Sequence, residues 1–360
     1  IYRAKGNLKQ ALHLYTRATH ANPSLQGSWR NQIEILLKQG REAEAIRLKP
    51  HLQRVLEMPQ PLIAAMDYIA QGKLSNAEDL CRDFLKQHPH HVEAMRLLAE
   101  VGMKLNILHD AEFLLESALK LEPENDLLRV DYIEALRKRQ KIETAHAEVL
   151  TLHKANPDNV HFESLYAVLC MQMGDYEKAL QLFDSILTKI PGDPVTLTSK
   201  GHALKTCGST DEAIASYRNA TQSSSAYGEA WHSLANLKTV KFSDADIGKM
   251  LAQLESDDLK FMDRVYINFT LGKAFEDAEK FDQAFSHYAA GNKAKKAQSR
   301  YSAEQMTEEF EQQKQVFTEQ FVNDKKGSGY SAADPIFVVG LPRAGSTLLE
   351  QILSSHSQVD

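Results

Sequence analysis

Alanine recurs every 34 residues along much of this chain, and that interval limits the possible folds more than any other feature of the sequence. The regular series is Ala77, Ala111, Ala145, Ala179 and Ala213. A proline follows each of the first four alanines by twelve residues, and a glycine precedes several of them by five. Alanine lets two helices touch, glycine ends a helix in a left-handed conformation, and proline cannot continue a helix. The interval therefore predicts pairs of helices stacked along the chain.

The same spacing is typical of tetratricopeptide repeats, and residues 1–292 resemble that family. The resemblance implies an α-solenoid of about eight helix pairs with a concave groove that binds a protein or peptide. Two stretches, 46–61 and 241–262, depart from the repeat pattern. In the second stretch, Ser243 or Asp244 is expected to cap an extra helix.

A different pattern appears near the end of the chain. Ile336 to Val339 is a short uncharged run, typical of a buried parallel strand. A turn bounded by Gly340 and Gly345 follows, and helical spacing begins at Ser346. A strand, a glycine-bounded loop and a helix N-terminus form an anion site, because the first helical N–H groups lack internal acceptors.

The loop nearly fits the pattern of nucleotide hydrolases, with Thr347 at the hydroxyl position. However, Ser346 occupies the place of the phosphate-binding lysine, and the positive charge is Arg343 inside the turn. The segment resembles the 5'-phosphosulfate loop of sulfotransferases, in the Pro-Arg-Ser-Gly-Thr-Thr form of the tyrosylprotein sulfotransferases. Ala344 here replaces the usual Ser, and Ser346 replaces the first Thr.

This second resemblance implies a function and a set of site residues. It implies transfer of a sulfuryl group from PAPS (3'-phosphoadenosine 5'-phosphosulfate) to an acceptor hydroxyl, such as a tyrosine of a protein or peptide recruited by the repeats. The PAPS-binding residues would be Arg343, Ala344, Gly345, Ser346 and Thr347, and Arg343 would also be catalytic. The catalytic base and the 3'-phosphate ligands are expected beyond residue 360, and the sequence resembles a fragment cut at both ends.

The expected fold is thus mostly α: the solenoid, then the first strand, loop and helix of an α/β sulfotransferase domain at 335–360. Residues 293–334 are expected to form a polar helix and a linker rich in Gly, Ser and Lys. A capping box, Ser302 with Gln305, is predicted to open that helix. Its apolar side, Met306, Phe310, Phe317 and Phe321, is expected to pack on a neighbouring domain.

Composition narrows the function further. The net charge of −6 gives no reason to propose nucleic acid as a partner. No apolar run is long enough to cross a membrane, and three scattered cysteines favour a reducing compartment, the cytoplasm. His88, His90 and His91 have no partners at metal-ligand spacing, so no metal is expected. Two alternatives remain open: a repeat scaffold without catalysis, and a P-loop NTPase or kinase.

Overall fold

We describe a computed structural model of the chain, which covers residues 2–3, 6–299, 301–329 and 335–359. Within these residues the repeat region forms seventeen helices: α1 (Leu8–Ala21), α2 (Gln26–Lys38), α3 (Glu42–Glu57), α4 (Gln60–Ala70), α5 (Leu74–Gln87), α6 (Val92–Leu105), α7 (Leu108–Leu121), α8 (Asp126–Lys138), α9 (Ile142–Ala155), α10 (Val160–Gln172), α11 (Tyr176–Lys189), α12 (Pro194–Thr206), α13 (Thr210–Ser223), α14 (Gly228–Asn236), α15 (Asp244–Leu254), α16 (Phe261–Asp277) and α17 (Phe281–Gln298). The α-solenoid expected from the sequence is confirmed.

The repeated alanines lie where the two helices of a pair touch. Ala77, Ala111, Ala145, Ala179 and Ala213 are all fully buried. The large residues four positions later, among them Leu115, Phe183 and Tyr217, fill the space beside them and are also buried. A side chain larger than alanine would push the paired helices apart, so the 34-residue interval reflects packing.

The turn inside each pair requires a left-handed backbone. Gly174 adopts a φ of +83° there, a conformation that costs glycine little because it has no Cβ. Three pairs place other residues at the same turn: Asn106 with φ +63°, Gln140 with φ +60° and Glu279 with φ +58°. Glycine is therefore favoured at this position but not essential to the fold.

The first irregular stretch, 46–61, forms a joint in the solenoid. Helix α3 runs through Pro50 to Glu57 without a break. Each consecutive pair of helices from α1 to α14 packs closely except α3 and α4. In the sequence, Ala45 and Ala77 are 32 residues apart instead of 34. This shortened repeat corresponds to a place where two successive units are loosely packed.

The second irregular stretch contains the predicted extra helix. Ser243 caps α15, accepting a hydrogen bond from the Asp246 N–H while the Asp246 carboxylate accepts one from the Ser243 N–H. Helix α14 packs directly on α16, and a Cβ added at Gly228 would lie 2.5 Å from the carbonyl oxygen of Asp263. The insertion therefore lies beside the solenoid without interrupting it.

The chain divides into two compact units, the second running from Asn292. Beyond α17 this unit contains α18 (Ala303–Val316), α19 (Glu319–Asp324) and α20 (Ser346–Ser354). Ser302 caps α18, its hydroxyl accepting from the Gln305 N–H at 3.2 Å. Only this half of the predicted capping box is seen in the described residues, and the Gln305 side chain donates to Glu309 at 3.0 Å. The expected polar helix is in fact two, since α18 ends before Phe317. Residues 330–334 of the predicted linker lie outside the described residues.

The predicted strand Ile336 to Val339 does not form a strand in the structure. These residues are extended but belong to no sheet. A strand needs a hydrogen-bonded neighbour, and no described residue supplies one. None of the helices in the described residues is long and apolar enough to span a bilayer.

Candidate functional site

The predicted anion loop lies between an extended segment and α20. Along the segment, Phe337 is 84% exposed and Val339 is 91% exposed, whereas Val338 is half-buried. Val338 lies with Leu353 of α20 in a shallow depression at the end away from the loop. The alternation is that of a strand with one face against a helix, so the segment and α20 hold the turn between them.

The turn itself has an unusual backbone. Arg343 has a φ of +68°, in the left-handed region that residues with a Cβ seldom adopt, and Gly345 has a φ of +88°. The Ala344 N–H donates to the carbonyl of Leu341 at 3.1 Å and closes the turn. A left-handed non-glycine residue costs about 1–3 kcal/mol and is a recurrent feature of functional loops.

This geometry leaves several backbone donors free. Gly345 is the N-cap of α20 and makes no side-chain cap, and the first helical hydrogen bond runs from the Leu349 N–H to the Gly345 carbonyl. Among the described residues no acceptor engages the N–H groups of Ser346, Thr347 or Leu348. Three amides therefore meet solvent at the positive end of the helix dipole, an arrangement that binds phosphate.

The structure changes the expected donor set in two ways. The N–H of Ala344 is already used within the turn, so it is not available to a ligand. The N–H of Leu348 is available and was missed by sequence reasoning. Counting three residues on from the N-cap would have found it, because an α-helix satisfies its amides only from the fourth onward.

The side chains around the loop add positive charge and hydroxyl groups. Arg343 is exposed, and its guanidinium makes no ion pair with any described residue. Thr347 is also exposed and Ser346 is half-buried. The first turn of α20 contains no acidic residue. An anion here would meet one guanidinium, two hydroxyls and free amides, with no carboxylate to repel it within that turn.

Two other polar residues of this segment lie away from the loop. Glu350 lines the depression beside Leu353. The Nδ1 of His356 accepts a hydrogen bond from the Gln358 N–H at 3.2 Å and stabilises the turn after α20.

Two of the three histidines around Pro89 have structural contacts. His91 caps α6, its Nδ1 accepting from the Ala94 N–H at 3.3 Å, and the rings of His88 and His91 both pack on Phe84. Arg139, the C-cap of α8, pairs at 2.6 Å with the buried carboxylate of Glu112.

Helix pairs joined by left-handed turns and packed on buried alanines define a tetratricopeptide-repeat solenoid. Family models agree: tetratricopeptide-repeat models match residues 1–48 and 196–227, and the TPR domain of cytochrome c-type biogenesis protein H matches 80–196. The chain thus contains tetratricopeptide repeats. A model of the sulfotransferase family matches residues 335–360, the segment that contains the anion loop.

Among curated proteins the chain is similar to an uncharacterized protein of Aquifex aeolicus (strain VF5), with 24% identity over 302 residues. The match covers 80% of this chain and 39% of that protein, so the chain spans well under half the length of its relative.

Solved structures include partial matches. MamA is 19% identical to this chain, with a TM-score of 0.40, and the match covers 44% of this chain and 93% of MamA. YrrB, a TPR protein with an unusual peptide-binding site, is 16% identical over 48% of this chain and 89% of its own, with a TM-score of 0.42. Human IFIT1, a dimer with PPP-AAAA, is 18% identical over 82% of this chain and 75% of its own, with a TM-score of 0.46.

Proposed function

We propose that the protein is a PAPS-dependent sulfotransferase whose repeats hold the acceptor, a protein or peptide. The observation that carries the proposal is the loop before α20, where Arg343 and Gly345 are left-handed and three amides have no acceptor among the described residues. The match of the sulfotransferase family model to the same residues supports it. Ser346 at the lysine position of nucleotide hydrolases argues against an NTPase or a kinase.

The chemistry requires positioning and charge stabilisation from the protein. The sulfur of PAPS forms a bond to the acceptor oxygen while its bond to the phosphate oxygen breaks, which leaves 3',5'-ADP, and the acceptor proton passes to a base. The N–H groups of Ser346, Thr347 and Leu348 would hold the 5'-phosphate. Arg343 would neutralise the negative charge that grows on the bridging oxygen, which a permanently charged guanidinium does without a proton transfer.

The role of Arg343 has a measurable size. Removing one preorganised donor to a developing oxyanion raises a barrier by about 3–4 kcal/mol, which corresponds to a loss of turnover of about 10²–10³. We therefore expect Arg343→Ala to lower turnover with PAPS by that factor. Turnover equal to the wild type would exclude Arg343 from catalysis.

Nucleotide binding is the first test. We would titrate the longest natural chain that contains these residues with 3',5'-ADP and with ATP in a calorimeter. The expected result is binding of 3',5'-ADP alone, lost in Arg343→Ala and kept in Arg30→Ala, an exposed arginine of α2. Binding of ATP alone would favour an NTPase.

A repeat scaffold for protein binding is the second candidate, and the solenoid favours it. The repeats bury apolar residues along the whole solenoid, whereas α18, α19 and α20 contain no buried residue. If neither nucleotide binds, the repeats remain as a protein-binding surface. All three cysteines are free, and Cys81 and Cys170 are buried; we propose the reducing cytoplasm as the compartment.

A further inference from the structure

Helices α1, α2 and α3 form a part of the solenoid that we name the arm, and its core is separate. The arm packs on Ile33, Leu36 and Ala45 with partly buried neighbours from α1 and α3. This cluster shares no residue with the next one along the chain, around α4, α5 and α6. The clusters around α5 and α8, in contrast, are linked by a shared side chain, Leu114. Between α1 and α14 in the described residues, α3 and α4 are also the one pair of successive helices that does not pack closely, so the arm is weakly tied to α4 by apolar packing.

Polar contacts connect the arm to the rest at the joint after α3. Asp67 of α4 accepts hydrogen bonds from the Asn22 amide at 2.6 Å and the Ser24 hydroxyl at 2.5 Å. Arg54 of α3 pairs with Glu93 of α6, but its Nε is buried without a hydrogen-bond partner in the described residues. An unsatisfied buried donor costs free energy, so the joint is not optimally packed in this conformation.

The other end of the arm meets a distant part of the chain. Asp258, in the loop after α15, lies 3.4 Å from Nη1 of Arg17 and 3.8 Å from Nε2 of His13. Arg17 and Asp258 are 241 residues apart in sequence. The next longest separation for a side-chain hydrogen bond in the described residues is 45. In a solenoid each repeat contacts only its neighbours, so this contact shows that the array curves back on itself.

Arg264 of α16 holds the loop that carries Asp258 in place. The guanidinium of Arg264 donates to the carbonyls of Leu254 at 2.7 Å and Ser256 at 2.8 Å. The Asp258 N–H donates to the Ser256 hydroxyl at 3.3 Å. The loop is thus fixed on α16 and presents its carboxylate to α1, which gives the irregular stretch 241–262 a structural role.

We propose that the arm is hinged at the joint after α3 and that Arg17 with Asp258 is a latch that holds it closed. The latch is solvent-exposed, 61% for Arg17 and 59% for Asp258, so it is weak, screened by salt and readily opened. Opening widens the cleft between the arm and α4 and α6, which Trp29, Ile69 and Lys104 help to line.

Distance measurements between spin labels test the proposal. We would label Lys9→Cys on α1 and Lys249→Cys on α15, both exposed, in a Cys207→Ser background. At low salt, the distance distribution between the two labels should be dominated by one short distance. At high salt, the distribution should become broader. Asp258→Arg should lower the ratio of closed to open molecules by about two- to fivefold, the range set by an exposed ion pair. The charge exchange Arg17→Glu with Asp258→Arg should restore it.

The controls separate a hinge from unfolding and a latch from general charge. Asp257→Arg makes the same charge change one residue away, on a carboxylate without an ion pair to α1 in the described residues, and should leave the distance unchanged. Labels at Lys9→Cys and Lys49→Cys lie within the arm and should keep one distance in every variant. The proposal is overturned if Asp258→Arg has no effect, if Asp257→Arg has an equal effect, if the charge exchange restores nothing, or if the distance within the arm changes.

Discussion

The solenoid and the C-terminal unit place their apolar residues in opposite environments. In the solenoid, Leu128, Ile133 and Leu136 are all fully buried. In the C-terminal unit, Leu341 is 81% exposed and Leu348 is 64% exposed. Residues of the same type thus stabilise one region and leave the other with almost no core of its own.

The difference shows how stability and chemistry are distributed in this chain. A repeat buries its apolar face on its neighbours, so any run of several repeats is stable. The anion loop instead needs only a few backbone and side-chain groups in the right places, and a short extended segment and one helix provide them. We expect the solenoid to determine stability and the loop to determine ligand binding.

The largest effect should come from a buried leucine. Leu136→Ala removes a fully buried side chain of α8 and should lower the free energy of unfolding by about 2–5 kcal/mol. Leu348→Ala, the matched change in α20, should alter it by less than about 0.5 kcal/mol. Urea denaturation followed by circular dichroism measures both. Equal losses would mean that the C-terminal unit contributes a core as the solenoid does.

A smaller effect should come from the ion-pair network at the joint. Glu93 of α6 contacts Arg54 and also Arg96, with 3.0 Å between Oε1 and Nη2, and Arg96 reaches Asp131 of α8 at 2.6 Å. The Glu93 side chain is 21% exposed. Glu93→Gln should lower the free energy of unfolding by about 1.5–3 kcal/mol at neutral pH, the range for hydrogen bonds to charged groups. Lys120→Gln, at an exposed pair with Glu116, is the control and should cost less than about 0.5 kcal/mol.

The effect of Glu93→Gln on stability should depend on pH. Burial raises the pKa of the Glu93 carboxyl, but the guanidinium groups of Arg96 and Arg54 outweigh it and hold the pKa below its ordinary value of 4.5. A carboxyl with a lowered pKa stabilises the fold fully above pH 4.5, and this contribution disappears as the pH falls through the lower, folded value. The difference in the free energy of unfolding between the wild type and Glu93→Gln should therefore become smaller only below about pH 4.5. If this difference in the free energy of unfolding already became smaller above pH 6, the result would contradict the proposed role of Glu93 at the joint.

The smallest effect should come from a substitution in a repeat turn, and it should increase the stability of the fold. Gln140 is left-handed where most repeats have glycine. Gln140→Gly should raise the free energy of unfolding by about 1 kcal/mol, because a Cβ is disfavoured in that conformation. The reverse change, Gly174→Gln, should lower it by a similar amount. If both substitutions were neutral, the turns would tolerate any residue and the glycine pattern would have another cause.

Sequence reasoning predicted the solenoid well because its spacing records packing directly. The buried alanines, the left-handed glycines and the Ser243 cap all follow from local rules. The contact between Arg17 and Asp258 could not be predicted, since it depends on the curvature accumulated over many units. At the anion loop, residue types indicated the site, and a helix that starts at Ser346 implies a free Leu348 N–H. The turn geometry that occupies the Ala344 N–H is visible only in the structure.

Hydrogen exchange on the longest natural chain, with and without 3',5'-ADP, tests the central claim most directly. The amides of α4 to α14 should exchange slowly in both conditions, because they belong to the continuous buried core. The amides of Ser346, Thr347 and Leu348 should exchange fast without the nucleotide and be protected when it binds. Protection by 3',5'-ADP that is confined to that loop would support the claim that the solenoid determines stability and the loop determines ligand binding. Unchanged exchange at the loop, or protection only within the repeats, would contradict it.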